Sequence, residues 1–129
     1  MFLYLATYSD VAIAILRIAL GALLVVHGLP KLRALKKSIS RSEGFYSAVV
    51  AAFVETFGGL ALILGFLTQP VALLFVLEFL LILGWRLSKG YRFIGGWEID
   101  LIILAAALFF LAVGAGVYSA DASLPWSGY

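Results

Sequence analysis

Cysteine is absent from all 129 residues. That excludes disulfides, thiol redox chemistry and thiolate-ligated iron–sulfur clusters within this chain. Histidine occurs once, as His27, so a haem held by two histidines cannot be built from one copy. Charge is scarce too: Asp, Glu, Lys and Arg make up 12% of the residues, against about 25% in a soluble domain. The opening residues 1–8 carry no basic residue, and no small-residue cleavage site follows them, so no cleavable signal peptide is expected. They read as an interfacial lead-in to the first apolar run. Nothing here implies a nucleic-acid partner or a resident metal.

What is present is hydrocarbon. The chain is 64% hydrophobic with a mean hydropathy of +1.13, and a soluble domain averages about 45–50% apolar. It is expected to be an integral membrane protein, an all-α four-helix bundle with up-down-up-down topology. The whole chain, 1–129, is then one transmembrane domain in contact with the lipid bilayer. A span needs about 20 mainly apolar residues, and four runs qualify: about 10–29, 46–64, 70–87 and 97–117. Ser9 and Asp10 suit a helix start, and Gly28 with Pro30 is expected to end the first span. Gly65 is placed for a C-terminal cap on the second. Thr68 is expected to cap the third, with Pro70 in its first turn, where a missing N–H is harmless. Glu98 and Asp100 open the fourth after the Gly95-Gly96 break.

Orientation follows the placement of Lys and Arg in short loops. Lys31, Arg33, Lys36, Lys37 and Arg41 follow the first span, and Arg86, Lys89 and Arg92 follow the third. The basic loops 30–45 and 86–96 are therefore expected in the cytoplasm, with both termini outside a plasma-type membrane. Trp85, Tyr91 and Trp97 fall at the inner edge, and Tyr4, Tyr8, Tyr118 and Trp126 at the outer edge, as interfacial aromatics do.

Charges inside spans are costly, face the bundle interior and usually have partners. Arg17 lies inside the first run, Glu55 in the second and Glu78 in the third. At 1.5 Å rise per residue, Arg17 lies roughly 10 Å deep and Glu78 roughly 12 Å deep, so an Arg17–Glu78 pair is expected, with Glu55 the next candidate partner. Glu55 then has no evident partner and would be neutral or face water. His27 with Asp100 or Glu98 forms a second polar layer near the inner edge, although Glu98 is explained by a helix start alone. Ala51, Glu55 and Gly59 share a face at four-residue spacing, which turns Glu55 inward against a close neighbour.

The order Arg17, His27-Gly28, Lys31, Glu55-x-x-Gly58-Gly59, Gly65, Thr68, Glu98-x-Asp100, Gly114-x-Gly116-x-Tyr118-Ser119 and Asp121 resembles the DoxX/DoxD family of small four-helix membrane proteins. The resemblance covers nearly the whole chain. It implies association with membrane redox systems and a possible quinone cofactor, with other membrane redox subunits or further copies of the chain as partners. On that basis Glu55, Arg17 and Asp100 are candidate catalytic residues, and His27, Arg17 and Glu78 candidate quinone contacts. Two other roles fit the same residues: a non-catalytic subunit stabilising a respiratory complex such as a terminal oxidase, and a proton-linked carrier of a small solute.

Overall fold

A computed structural model describes residues 7–35 and 45–125. Tyr4, Lys36, Lys37, Arg41 and Trp126, and the expected lead-in over residues 1–6, lie outside the described residues. Among the described residues the fold is entirely helical. Helix α1 spans Ser9–Leu35. The second span is one continuous rod made of α2 (Phe45–Phe53), a π-helical turn (Val54–Gly58) and α3 (Gly59–Leu64). Helix α4 spans Thr68–Ser88 and α5 spans Glu98–Val113. Between them, Phe93–Trp97 forms a bend in which Ile94 and Gly95 leave helical geometry. A short 3₁₀ turn, Asp121–Ser123, closes the described chain.

Three stretches, Ser9–Ala34, Thr68–Ser88 and Phe93–Val113, are long and apolar enough to cross a membrane, and the apolar stretch Ala48–Leu64 is shorter. The outward surfaces carry large hydrophobic side chains, Leu81 at 76% and Ile94 at 81% exposure among them. Water would not tolerate so much exposed hydrocarbon on a stable monomer; a bilayer does.

The core is built from two helix pairs. α1 packs along the second span, and α4 packs along α5. Leu20 and Leu24 of α1 meet Leu62, Phe75, Phe79, Ile103 and Phe110 in one buried cluster. The first pair approaches to backbone contact. A Cβ placed on Gly21 would sit 2.5 Å from the Gly59 carbonyl oxygen, and one on Gly59 would sit 2.7 Å from that of Gly21. Gly59 of the small-residue stripe therefore meets α1, and Glu55 is buried beside Gly28. Ala51 instead lines a groove toward the third span, because the π-helical turn adds a residue to the register between them.

Two helix ends differ from expectation. α1 does not stop at Pro30; it continues to Leu35 with the proline inside it. The ring removes one helical hydrogen bond, to the Val26 carbonyl, at a cost of about 3 kcal/mol. An ion pair from Lys31 to the second span offsets part of that cost. At the other end, α5 stops at Val113 rather than near residue 117. Gly114 takes φ 83°, ψ −161°, outside the helical region, and turns the chain back over the bundle.

Candidate functional site

The polar residues gather at the two ends of the bundle. At the end where α1 begins and α5 finishes, Arg17 is only 2% exposed. Its Nη1 donates to the carbonyls of Leu62 (2.5 Å) and Ile63 (2.8 Å), and its Nη2 to that of Tyr118 (2.6 Å). The first two are acceptors that a helix leaves free in its last turn. Gly65, in the left-handed region, completes the termination: its N–H bonds the Leu62 carbonyl, and the Phe66 N–H bonds that of Ala61. The returning tail supplies the last donor, Ala120 N–H to Leu64 O at 3.1 Å. All four terminal carbonyls of the second span are thus occupied, as a low-dielectric surrounding demands. A side chain at Gly65 would collide with both Arg17 and Ser119.

The tail also starts the third span. The Asp121 carboxylate accepts the N–H groups of Leu67 (2.7 Å) and Thr68 (2.8 Å). Thr68, expected to be the cap, has a buried hydroxyl with no hydrogen-bond partner. The capping group comes instead from a residue more than fifty positions away.

The expected Arg17–Glu78 pair does not form. α1 and α4 belong to different helix pairs and share no extended face, so equal depth brings no contact. Helix-end carbonyls reach the guanidinium first. Glu78 is half-buried, with both carboxyl oxygens shut off from the surface and without hydrogen-bond partners.

At the opposite, basic end lies a cleft of about 180 Å³ lined by residues of all four spans. Glu55, expected to lack a counter-charge, has one: Lys31 Nζ lies 2.5 Å from its Oε1. The Glu55 side chain is 2% exposed and that of Lys31 44%, so the lysine stem reaches inward while its head stays near water. The π-helical turn carries Glu55 and Thr56, two consecutive buried residues; such turns inside α-helices are rare and frequent at functional sites. Across the cleft, Arg86 Nη1 lies 3.0 Å from Asp100 Oδ2 and also donates to the Gly96 carbonyl. His27 lines the same cleft, its Nδ1 2.9 Å from the Leu23 carbonyl. A carbonyl only accepts, so Nδ1 carries the proton and Nε2 is the acceptor of the neutral ring.

The cleft therefore brings together Glu55, Asp100 and His27. Arg17 sits at the other end, and Glu78 flanks the cleft on a separate groove. Glu98 is absent from it: its Oε1 accepts the Gly95 N–H at 3.0 Å, which is helix-start chemistry. Two site residues escaped the sequence reading, Lys31 and Arg86. Both look like topology signals in a basic loop. The available sign was spacing, since Lys31 follows His27 by one helical turn once α1 is allowed to run through Pro30.

Two buried oxygens in this cleft have no hydrogen-bond donor: Glu55 Oε2 and Asp100 Oδ2, the latter touching Arg86 without hydrogen-bond alignment. Buried polar atoms are usually satisfied. These two mark a place where a hydrogen-bonding ligand or a proton fits.

A family model described as DoxX matches residues 12–88, more than half of the chain. Searches of curated proteins and of solved structures match nothing.

Proposed function

We propose, for a chain that belongs to the DoxX family of multi-pass membrane proteins, the role of membrane subunit of a quinone-linked oxidoreductase, with the quinone ring received in the basic-end cleft. One observation carries this: two cationic donors and two carboxyls, each with a buried oxygen that accepts no hydrogen bond, converge on a cleft the size of one ring. A cavity of about 150 Å³ accommodates a benzene-sized molecule, and this cleft is slightly larger.

A quinone bound there supplies two-electron, two-proton chemistry, with the electrons delivered from a reduced donor held by a partner subunit. Lys31 and Arg86 offer N–H donors to an acceptor oxygen. Glu55 and Asp100 carry protons to and from the ring oxygens, and Nε2 of His27 accepts one. Phe79 and Ile103 line the inner wall with hydrocarbon, so the two buried carboxyls sit where each charge is worth more. The basic end faces the cytoplasm on this proposal.

The test is quinone content and binding. Protein extracted in mild detergent should carry quinone, and Arg86→Met or Asp100→Asn should lower quinone binding at least tenfold while helicity persists. If the wild type neither retains nor binds quinone, and both variants leave quinone-dependent turnover of the native complex intact, the proposal fails. A second reading, a non-catalytic subunit that stabilises a larger complex, is supported by the fact that each of the two carboxyls already has a cationic partner. It expects stoichiometric partner subunits in a mild-detergent pull-down, with turnover indifferent to cleft substitutions.

A further inference from the structure

The geometry points to a second, apolar binding site next to the cleft: a groove between the second and third spans that holds the prenyl tail of the molecule whose ring occupies the cleft. The groove, open along its outer side, offers about 500 Å³ between Val50, Val54, Leu74, Glu78, Leu81 and Ile82. Ile82 also lines the polar cleft, so the two spaces share a wall. The π-helical turn serves both, placing Val54 on the groove and the next residue, Glu55, on the cleft. Glu78 does not make the groove polar. Both of its carboxyl oxygens are shut off from the surface, so the groove meets its methylene stem.

Three properties select a hydrocarbon chain attached to a polar head. The walls are hydrocarbon, which gives a polar partner nothing to bond. The groove abuts a ring-sized cleft lined by donors and acceptors. Its size is also right: at the ~150 Å³ that a six-carbon ring occupies, 500 Å³ takes on the order of 20 carbons, or about four five-carbon prenyl units. A long-tailed quinone is therefore the substrate class, and Val50 and Leu74 are residues that set tail length.

This site rests on the quinone proposal, and one experiment separates their failures. The full chain in lipid nanodiscs is titrated with a benzoquinone lacking a tail and with the same ring bearing four prenyl units. Titration calorimetry, corrected against protein-free nanodiscs, reports binding per mole of protein. The tailed quinone should bind at least tenfold more tightly. Leu74→Trp and Val50→Trp should abolish that advantage while leaving the tail-less quinone within twofold of wild type. Both native side chains are more than half exposed, so an indole fills the groove without entering the core, and circular dichroism should be unchanged. Equal affinity of the two quinones for the wild type, or equal weakening of both by the substitutions, overturns the groove site and leaves the cleft standing. Failure of both quinones to bind the wild type overturns both proposals.

Discussion

Arg17 is the charge whose role changes most between sequence and fold, and replacing it should cost stability without touching the cleft. Arg17→Met keeps an apolar stem of similar reach and removes all three donors. The Leu62 carbonyl keeps its bond from Gly65 N–H. The carbonyls of Ile63 and Tyr118 each lose a charge-assisted partner. A buried acceptor left unsatisfied costs about 1–3 kcal/mol, so the two together cost roughly 2–6 kcal/mol. Against this stands the relief of no longer burying a guanidinium, which burial makes expensive. The net expectation is a loss of about 2–4 kcal/mol. Arg17→Lys should recover only part of it, because an ammonium is a point charge without the planar fork that reaches three carbonyls.

Unfolding of the purified protein in mixed micelles, driven by a denaturing detergent and followed by circular dichroism, measures the change. The cleft lies roughly 10 Å away, as the seven residues from Glu55 to Leu62 rise 1.5 Å each. Ligand binding by the folded fraction should therefore match wild type. A stability loss below about 1 kcal/mol for Arg17→Met would show that the three hydrogen bonds do not hold the helix end. Normal stability with lost quinone binding would return Arg17 to the functional group of residues and refute the structural assignment.

The Lys31–Glu55 pair joins one exposed and one buried partner, so it should fall between the value of a surface pair and that of a buried one. Lys31→Met should destabilise by about 1–3 kcal/mol, and Glu55→Gln in the same chain should restore most of it; equal, additive losses in a double-mutant cycle would argue against the pair. Asp121→Ala removes the acceptor at the start of α4 and should cost about 1–2 kcal/mol, with faster hydrogen exchange at Leu67 and Thr68; unchanged exchange there would refute the cap. Gly21→Ala drives a Cβ against the Gly59 backbone and should cost about 1–3 kcal/mol. Gly84→Ala, with nothing within 4 Å, should stabilise α4 by about 0.5–1 kcal/mol; similar effects of the two alanines on detergent unfolding would remove the close-approach argument.

Hydrophobic runs and local punctuation made the spans legible. Gly65 ends the second span and Pro70 sits in the first turn of the third because helix termination depends on neighbouring residues. Part of the buried face of the second span was legible too: Gly59 and Glu55 face α1 as their spacing implied, while Ala51 turns toward the third span because the π-helical turn shifts the register. Pairings were harder. Depth along the membrane normal is a one-dimensional coordinate, and it says nothing about which helices face one another. Arg17 and Glu78 agree in depth and lie on helices from different pairs. Asp121 was invisible as a cap because its targets, Leu67 and Thr68, become neighbours only when Gly114 turns the tail back.

The junction at the tail end also accounts for the spacing of several of these residues. Arg17, Gly65, Tyr118, Ser119 and Asp121 meet at one helix junction, where a free carbonyl or amide in lipid would cost several kcal/mol. Their spacing is accounted for by backbone chemistry alone. The basic end differs in kind. There, Lys31 and Arg86 neutralise two carboxyls whose second contacts are incomplete, around a space that side chains leave open. A purely structural pair would gain from closing that space with a larger neighbour than Gly96 or Ile99. The tail end occupies its helix-end carbonyls and amides with protein groups, while the basic end leaves carboxylate oxygens short of donors around an open space, which is the division a membrane protein needs if only one end is to meet a reactive molecule.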